Sequence, residues 1–215
     1  MPHLFVFTLV ALALGCALLL RPWRLLINPG LLTPLLAALV IMPLMWALPW
    51  LDHMPIRFQL SGACLITLML GWPLAVPVLC AAAFITGLVV PIGWRGELDL
   101  ALWLGIVPAT LAMLLGAAVR RWLPHNPFVY ILGRAFLGTA ACLFVAGLLA
   151  QWAGHNIAAQ VDPLLALVAR WLIAWGDAVL TGMLTAIFVA FKPQWLATWS
   201  DQIYIAKPPA RPPQA

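Results

Sequence analysis

Four residues stand out for their types and spacing. Asp177, Thr181, Gly182 and Thr185 recur at intervals of three and four in an otherwise apolar stretch, Trp171 to Phe191. On a helix that spacing places an acid, two hydroxyls and a glycine along one seam. The stretch has 21 residues, enough for about 30 Å of hydrocarbon. An Asp at the middle of a membrane helix costs ~2.5–3.5 kcal/mol, so Asp177 must face protein, a water-filled cavity or a membrane surface. Arg134 is a second ionisable residue inside an apolar run. The two could form an ion pair between helices, line a solute path, or lie loosely solvated near an interface.

Metal chemistry is the other option. His3, His53 and His155, with Asp52, Met54, Cys64 and Asp162, supply possible ligands. Imidazole with carboxylate suits nickel, cobalt or zinc, and thioether or thiol shifts the preference towards copper. No spacing among them is diagnostic, and each histidine alone reads as a solvated loop residue. His3 has an extra possibility. Loss of Met1 would leave Pro-His at the terminus, where the α-amine, the His3 amide nitrogen and its ring could chelate a square-planar ion. His125 reads as part of a turn. With no Ser/His/Asp set, no H-E-x-x-H and no paired carboxylates on one helix face, the chain is expected not to be an enzyme.

The elements that must position these residues are apolar helices. The 215 residues are 65% hydrophobic and 8% charged, with a mean hydropathy of +1.06. A soluble globule carries ~25% charged residues, so the composition predicts an all-α, polytopic membrane protein. Seven spans are expected, near 4–20, 31–50, 58–71, 74–90, 101–119, 127–151 and within 163–191. Span three is short and reads as thin, tilted or re-entrant, and 91–100 reads as a loop. The stretch 163–191 is too long for one upright span, so a surface or re-entrant piece is expected as far as Arg170. Trp23, Trp46, Trp50, Trp94, Trp122, Trp152, Trp195 and Trp199 lie near span ends, as interfacial anchors do. Cys16, Cys64, Cys80 and Cys142 read as small hydrophobes.

The net charge of +5 comes from cations scattered at span ends, not from a nucleic-acid groove. Arg21, Arg24, Arg120, Arg121 and Lys192 fall on one side of a seven-span topology. That side is expected to be cytoplasmic, with the N-terminus outside and the C-terminus inside. The chain divides into one transmembrane domain, 1–205, and a disordered Pro-rich cytoplasmic tail, 206–215. His3, His53 and His155 then share the outer face.

Three groups of residues carry a family resemblance. They are Phe58-Gln59-Leu60-Ser61-Gly62-Ala63 with Thr67 to Trp72; Leu123 to Tyr130; and Asp177-Ala178-Val179-Leu180-Thr181-Gly182-Met183 with Lys192 to Trp195 and Ser200 to Tyr204. Together they resemble proteobacterial integral membrane proteins grouped with the cobalt/nickel energy-coupling-factor permeases. The resemblance covers about two thirds of the chain. It implies a permease of about seven helices in the bacterial inner membrane, with a periplasmic N-terminus. Its partners would be the lipid bilayer, an energy-coupling ATPase and a coupling membrane subunit. Co2+ or Ni2+ would be a transient substrate, with no tightly bound cofactor. In the true nickel/cobalt members the terminal amine and a histidine beside the initiator Met help to form the metal site, the place His3 would take. Gln59 stands where a third-span histidine is common, and Asp177 where an acid precedes the T-G-M run. The alternative is a subunit that transports nothing and holds a membrane complex together through small-residue faces at Gly133, Gly138 and Gly182.

Overall fold

A computed structural model describes residues 2–27, 29–51, 59–124, 126–154 and 163–204, with no strand among them. Its helices are α1 (Pro2–Leu19), α2 (Leu32–Leu51), α3 (Ala63–Leu70), α4 (Trp72–Val89), α5 (Gly93–Trp122), α6 (Val129–Trp152), α7 (Pro163–Phe191) and a final turn, α8 (Asp201–Tyr204). Five of them, α2, α4, α5, α6 and α7, are long and apolar enough to cross a membrane. Of the seven spans expected, the first is a shorter apolar helix, α1, and the third, expected to be short, is α3 with only eight residues. Eight residues rise about 12 Å, less than half a hydrocarbon core. Ser61-Gly62 stops the helix from extending backwards, and Gly71 separates it from α4.

Two other expectations are corrected. The charged segment 91–100 is helical from Gly93 onwards, so Arg95, Glu97 and Asp99 lie in the first turns of α5 and not in a loop. The stretch 163–191 is one unbroken helix of 29 residues with no separate piece ending at Arg170. At 1.5 Å per residue that is about 43 Å, so α7 outruns a bilayer core or lies tilted.

α5 and α6 each contain a π-helical stretch, Leu100–Ile106 and Val129–Leu137. In α5 the Val107 N–H reaches back five residues to the Leu102 carbonyl. Pro108 supplies the reason. It has no N–H for the Leu104 carbonyl four residues earlier, and its ring crowds that carbonyl in a regular helix.

The packing is inside-out relative to a soluble protein. α3 forms the centre: all of its residues except Leu65 are buried, among Met42 and Trp46 of α2, Leu74 and Leu79 of α4, and Tyr130 and Ala135 of α6. α1 packs Val6, Val10 and Ala17 against Val76, Leu102 and Ile106. Large apolar side chains cover the outside, including Phe5, Leu36, Phe84, Leu114, Leu132, Leu172 and Ile187. In water so much exposed hydrocarbon would drive association; in lipid it is the solvated face. Trp46 departs from its expected interfacial place: it is fully buried and donates Nε1–H to the Ser61 carbonyl at 3.1 Å. Trp94, Trp122 and Trp152 are strongly exposed at helix ends, as interfacial anchors would be. The cysteines are free; Cys64 and Cys142 are buried, Cys80 is half-buried and Cys16 is exposed.

One end of the bundle gathers several chain segments. Gly30, just before α2, packs against Gln194, just after α7. Ala197 and Thr198 donate their N–H groups to Met69 and Leu68 at the last turn of α3. Tyr130 of α6 packs its ring 4.9 Å from Trp199. The cavity described next lies towards the opposite end.

Candidate functional site

Asp177 is the fifteenth of the 29 residues of α7 and is 2% exposed. Its Oδ2 accepts hydrogen bonds from the Ser61 N–H at 2.7 Å and the Gly62 N–H at 2.9 Å. Its Oδ1 accepts from the Thr181 hydroxyl, one turn along, at 3.3 Å. Gly62 is the N-cap of α3, so the carboxylate stops the open N-terminal end of that buried half-helix. The first N–H groups of a helix have no partner within it, and the aligned peptide dipoles favour negative charge there. The seam on α7 thus has a structural duty: it completes a helix that starts inside the bundle.

The short unwound segment before α3 is satisfied group by group. The Ser61 hydroxyl donates to the Leu104 carbonyl at 2.6 Å, the acceptor that Pro108 leaves without a partner in its own helix. The same hydroxyl oxygen accepts the Ala63 N–H at 3.2 Å. Gln59 donates its side-chain amide to the Trp46 carbonyl at 3.1 Å. Irregular backbone inside a membrane protein persists only where neighbours or a wet cavity meet its polar groups.

Such a cavity lies directly beside it. A space of about 320 Å³ is bounded by Trp50 of α2, Gln59 and Ser61 of the unwound segment, Gly96, Asp99 and Trp103 of α5, Gly147 of α6, and Arg170 and Asp177 of α7. Arg170 and Asp177 stand seven residues apart on α7, two turns and so about 10 Å along one face. Arg170 donates Nη1–H to the Gly147 carbonyl at 2.6 Å, which fixes it across the α6–α7 gap. The walls therefore carry both signs of charge around an otherwise apolar lining. Ligand sites commonly combine a largely apolar wall with a few polar groups.

Of the residues singled out in the sequence, Asp177 and Gln59 line this cavity, while Thr181 lies one turn beyond as a partner of Asp177. Arg134 does not join them. It lies near the start of α6 with its guanidinium 5.6 Å from the Tyr130 ring, and no ion pair links it to Asp177. The proposed glycine faces are used inside the bundle. A Cβ on Gly138 would come within 2.6 Å of Leu115, and one on Gly182 within 3.1 Å of Phe136. Gly133 meets only Val129 of its own helix, at an ordinary 3.7 Å.

His53, Asp52, Met54, His155 and Asp162 lie outside the described residues, and of His3 only the helical backbone is described. Among the described residues no group of three His, Cys, Asp or Glu side chains is placed to hold a metal ion. Sequence reasoning did not select Ser61, Gly62 and Arg170 for the site, and it placed Asp99 in a loop. The available signals were the Ser-Gly pair, a turn signature, and Pro108, which must free a carbonyl one turn back.

Comparison with protein-family models, with characterised proteins and with solved structures finds no match. Fold and site together define an all-helical protein compatible with multi-pass membrane insertion. A charged cavity lies beside a helix that begins inside the bundle.

Proposed function

We propose that the chain is a solute-capturing permease subunit of a bacterial inner-membrane uptake system. Its cargo on this reading is a transition-metal ion, cobalt or nickel, and its helpers are an energy-coupling ATPase and a coupling membrane subunit. The observation that carries the reading is the cavity ending at Asp177, halfway along a membrane-length helix. Transport sites commonly lie near the midplane, beside helices that are broken there. The cobalt and nickel assignment rests on the family resemblance. Imidazole ligands would come from His3, His53 and His155, while the described wall offers the oxygens of Asp99, Gln59 and Ser61.

In this reading the chain crosses seven times. The third crossing is composite: Gln59 to Gly62 unwound, about 13 Å if extended, then α3 for about 12 Å more. The segments Arg21–Gly30, Leu123–Asn126 and 192–204 share the cytoplasmic side, where Arg21, Arg24, Arg120, Arg121 and Lys192 accumulate. Reporter fusions at Gly30, His125 and Ala215 should all report cytoplasm, and a periplasmic signal at His125 would sink the topology.

Uptake is tested by the cobalt and nickel content of cells expressing the chain with its partner subunits. Arg170→Gln should lower that content several-fold while membrane abundance stays near wild type. Unchanged metal content in that variant would remove the cavity from the path. The alternative is a scaffold without cargo that holds a membrane complex together through Gly133, Gly138 and Gly182; Gly138 and Gly182 pack against Leu115 and Phe136 of this chain, whereas Gly133 meets only Val129 of its own helix.

A further inference from the structure

Both ends of α3 are completed by residues far along the chain. At its start, the N–H groups of Ser61 and Gly62 are held by Asp177 of α7. At its last turn, the Met69 carbonyl accepts the Ala197 N–H at 2.8 Å. The Leu68 carbonyl accepts the Thr198 N–H at 3.3 Å and the Thr198 hydroxyl at 2.8 Å. The final carbonyls of a helix have no partner within it, and Pro73, four residues beyond Met69, has no N–H to offer. The Tyr130 hydroxyl lies 2.7 Å from that of Thr198 and ties the same point to α6.

Between these two fastenings α3 is a piece of its own. Gly62 has φ +64°, and Gly71 has φ +75° with ψ 155°, so the chain breaks direction at either end and neither neighbour continues the helix. All of its residues except Leu65 are buried. A buried backbone group that loses its partner must find another. If the arm after α7, residues 192–204, left its seat, the Leu68 and Met69 carbonyls would be bare inside the bundle. Any shift of α3 that relieves them is carried along a helix of about 12 Å to Ser61 and Gly62. Ser61 and Asp177 both line the cavity, so the movement arrives at its floor.

We propose that α3 is a strut that couples the arm at 192–204 to the floor of the cavity. A seated arm keeps Ser61 and Gly62 on the Asp177 carboxylate. An arm drawn away lets that end of α3 part from the carboxylate and opens the floor. The inference rests on the uptake reading in one respect, that this cavity is where cargo is captured. On that reading the arm faces the cytoplasm, where a coupling membrane subunit can engage it. Coupling of this kind is reciprocal, so loosening either end loosens the other.

The test is amide hydrogen exchange, read by mass spectrometry on the full chain in detergent with no metal added. Thr198→Val removes the hydroxyl and keeps the branched shape. It should speed exchange at Ser61 and Gly62 about ten-fold, the effect of one lost hydrogen bond on a local opening equilibrium. Conversely, Asp177→Ala should speed exchange at Ala197 and Thr198. Asp177→Asn keeps an acceptor for Ser61 and Gly62 and should leave the arm near its wild-type rate. Val10→Ala loosens the separate cluster under α1 and should leave both ends of α3 near wild type. Wild-type exchange at Ser61 and Gly62 in Thr198→Val overturns the proposal, as does wild-type exchange at Ala197 and Thr198 in Asp177→Ala. A rise at Ser61 and Gly62 in Val10→Ala as large as that in Thr198→Val overturns it too, since general loosening would then explain both. If Asp177→Ala fails to fold, Thr198→Val against Val10→Ala decides alone. The uptake reading is tested apart from this, by the metal content of cells carrying Arg170→Gln. Coupled exchange with unchanged metal content would remove that reading and leave the strut standing.

Discussion

Asp177→Ala is expected to destabilise the protein by about 2–4 kcal/mol, whereas Asp177→Asn should cost only about 1 kcal/mol. Alanine strips the acceptor from two buried N–H groups at once, those of Ser61 and Gly62, and leaves the end of α3 open. Water from the adjoining cavity can relieve part of that loss, which keeps the figure below the sum for two orphaned donors. Asparagine has nearly the volume of aspartate. Its Oδ1 can take the place of Oδ2 and accept both N–H groups, while its Nδ2 donates to the Thr181 oxygen. What it loses is the charge assistance. Melting of the detergent-solubilised variants, followed by the loss of monodisperse protein on heating, separates the two. Equal melting of the alanine and asparagine variants would mean that the carboxylate does not cap α3.

Gly62→Val should be comparably damaging, at about 3–4 kcal/mol, with Gly62→Ala at about 2 kcal/mol. Two effects add at this position. Gly62 has φ +64°, a left-handed conformation that β-branched residues tolerate poorly. A Cβ there would also come within 2.9 Å of the Met42 sulfur and the Met45 methyl. Both methionines are flexible and can yield part of the way, so alanine is milder than valine. Gly93 is the control: its φ is +69°, but a Cβ would meet nothing within 4 Å. Gly93→Ala therefore isolates the backbone contribution, about 1 kcal/mol. If Gly62→Ala and Gly93→Ala melted alike, crowding by the α2 methionines would play no part.

The acid of the seam could be read from the sequence; its partners could not. A carboxylate in an apolar helix must be compensated, and spacing shows which helix face it shares with Thr181. Spacing on one helix does not reveal what lies opposite. The natural candidate was the other intramembrane charge, Arg134, yet the donors are backbone N–H groups of Ser61 and Gly62, which carry no side-chain signature. The shortness of the third apolar run was equally legible, because Trp72-Pro73 cuts it off. That it begins as unwound backbone depends on acceptors and donors from α2, α5 and α7, more than 40 residues away in the case of Leu104.

Errors at 91–100 and 163–170 have different causes. At 91–100 charge and glycine were taken as marks of a loop, and at 163–170 a helix longer than a bilayer core was taken to be two pieces. Asp99 and Arg170 instead border a largely apolar cavity with a few polar groups inside the bundle, where a charged side chain can be bonded without leaving its helix. Trp46 misled in the same way, since an indole near a helix end can be an interfacial anchor or, as here, a donor to buried backbone.

The two-ended fastening of α3 has a bearing on the order of biosynthesis. The two N–H groups just before its first residue, those of Ser61 and Gly62, wait for a carboxylate on Asp177, and its Leu68 carbonyl for a hydroxyl 130 residues downstream. The chain must therefore be made as far as Thr198 before the third apolar segment can be completed. Until then the polar ends of the segment are bare, a state that hydrocarbon would penalise heavily. A chain cut short before Asp177 would carry that defect permanently. The arm after α7 thus supplies the closing bonds of a helix begun more than a hundred residues earlier.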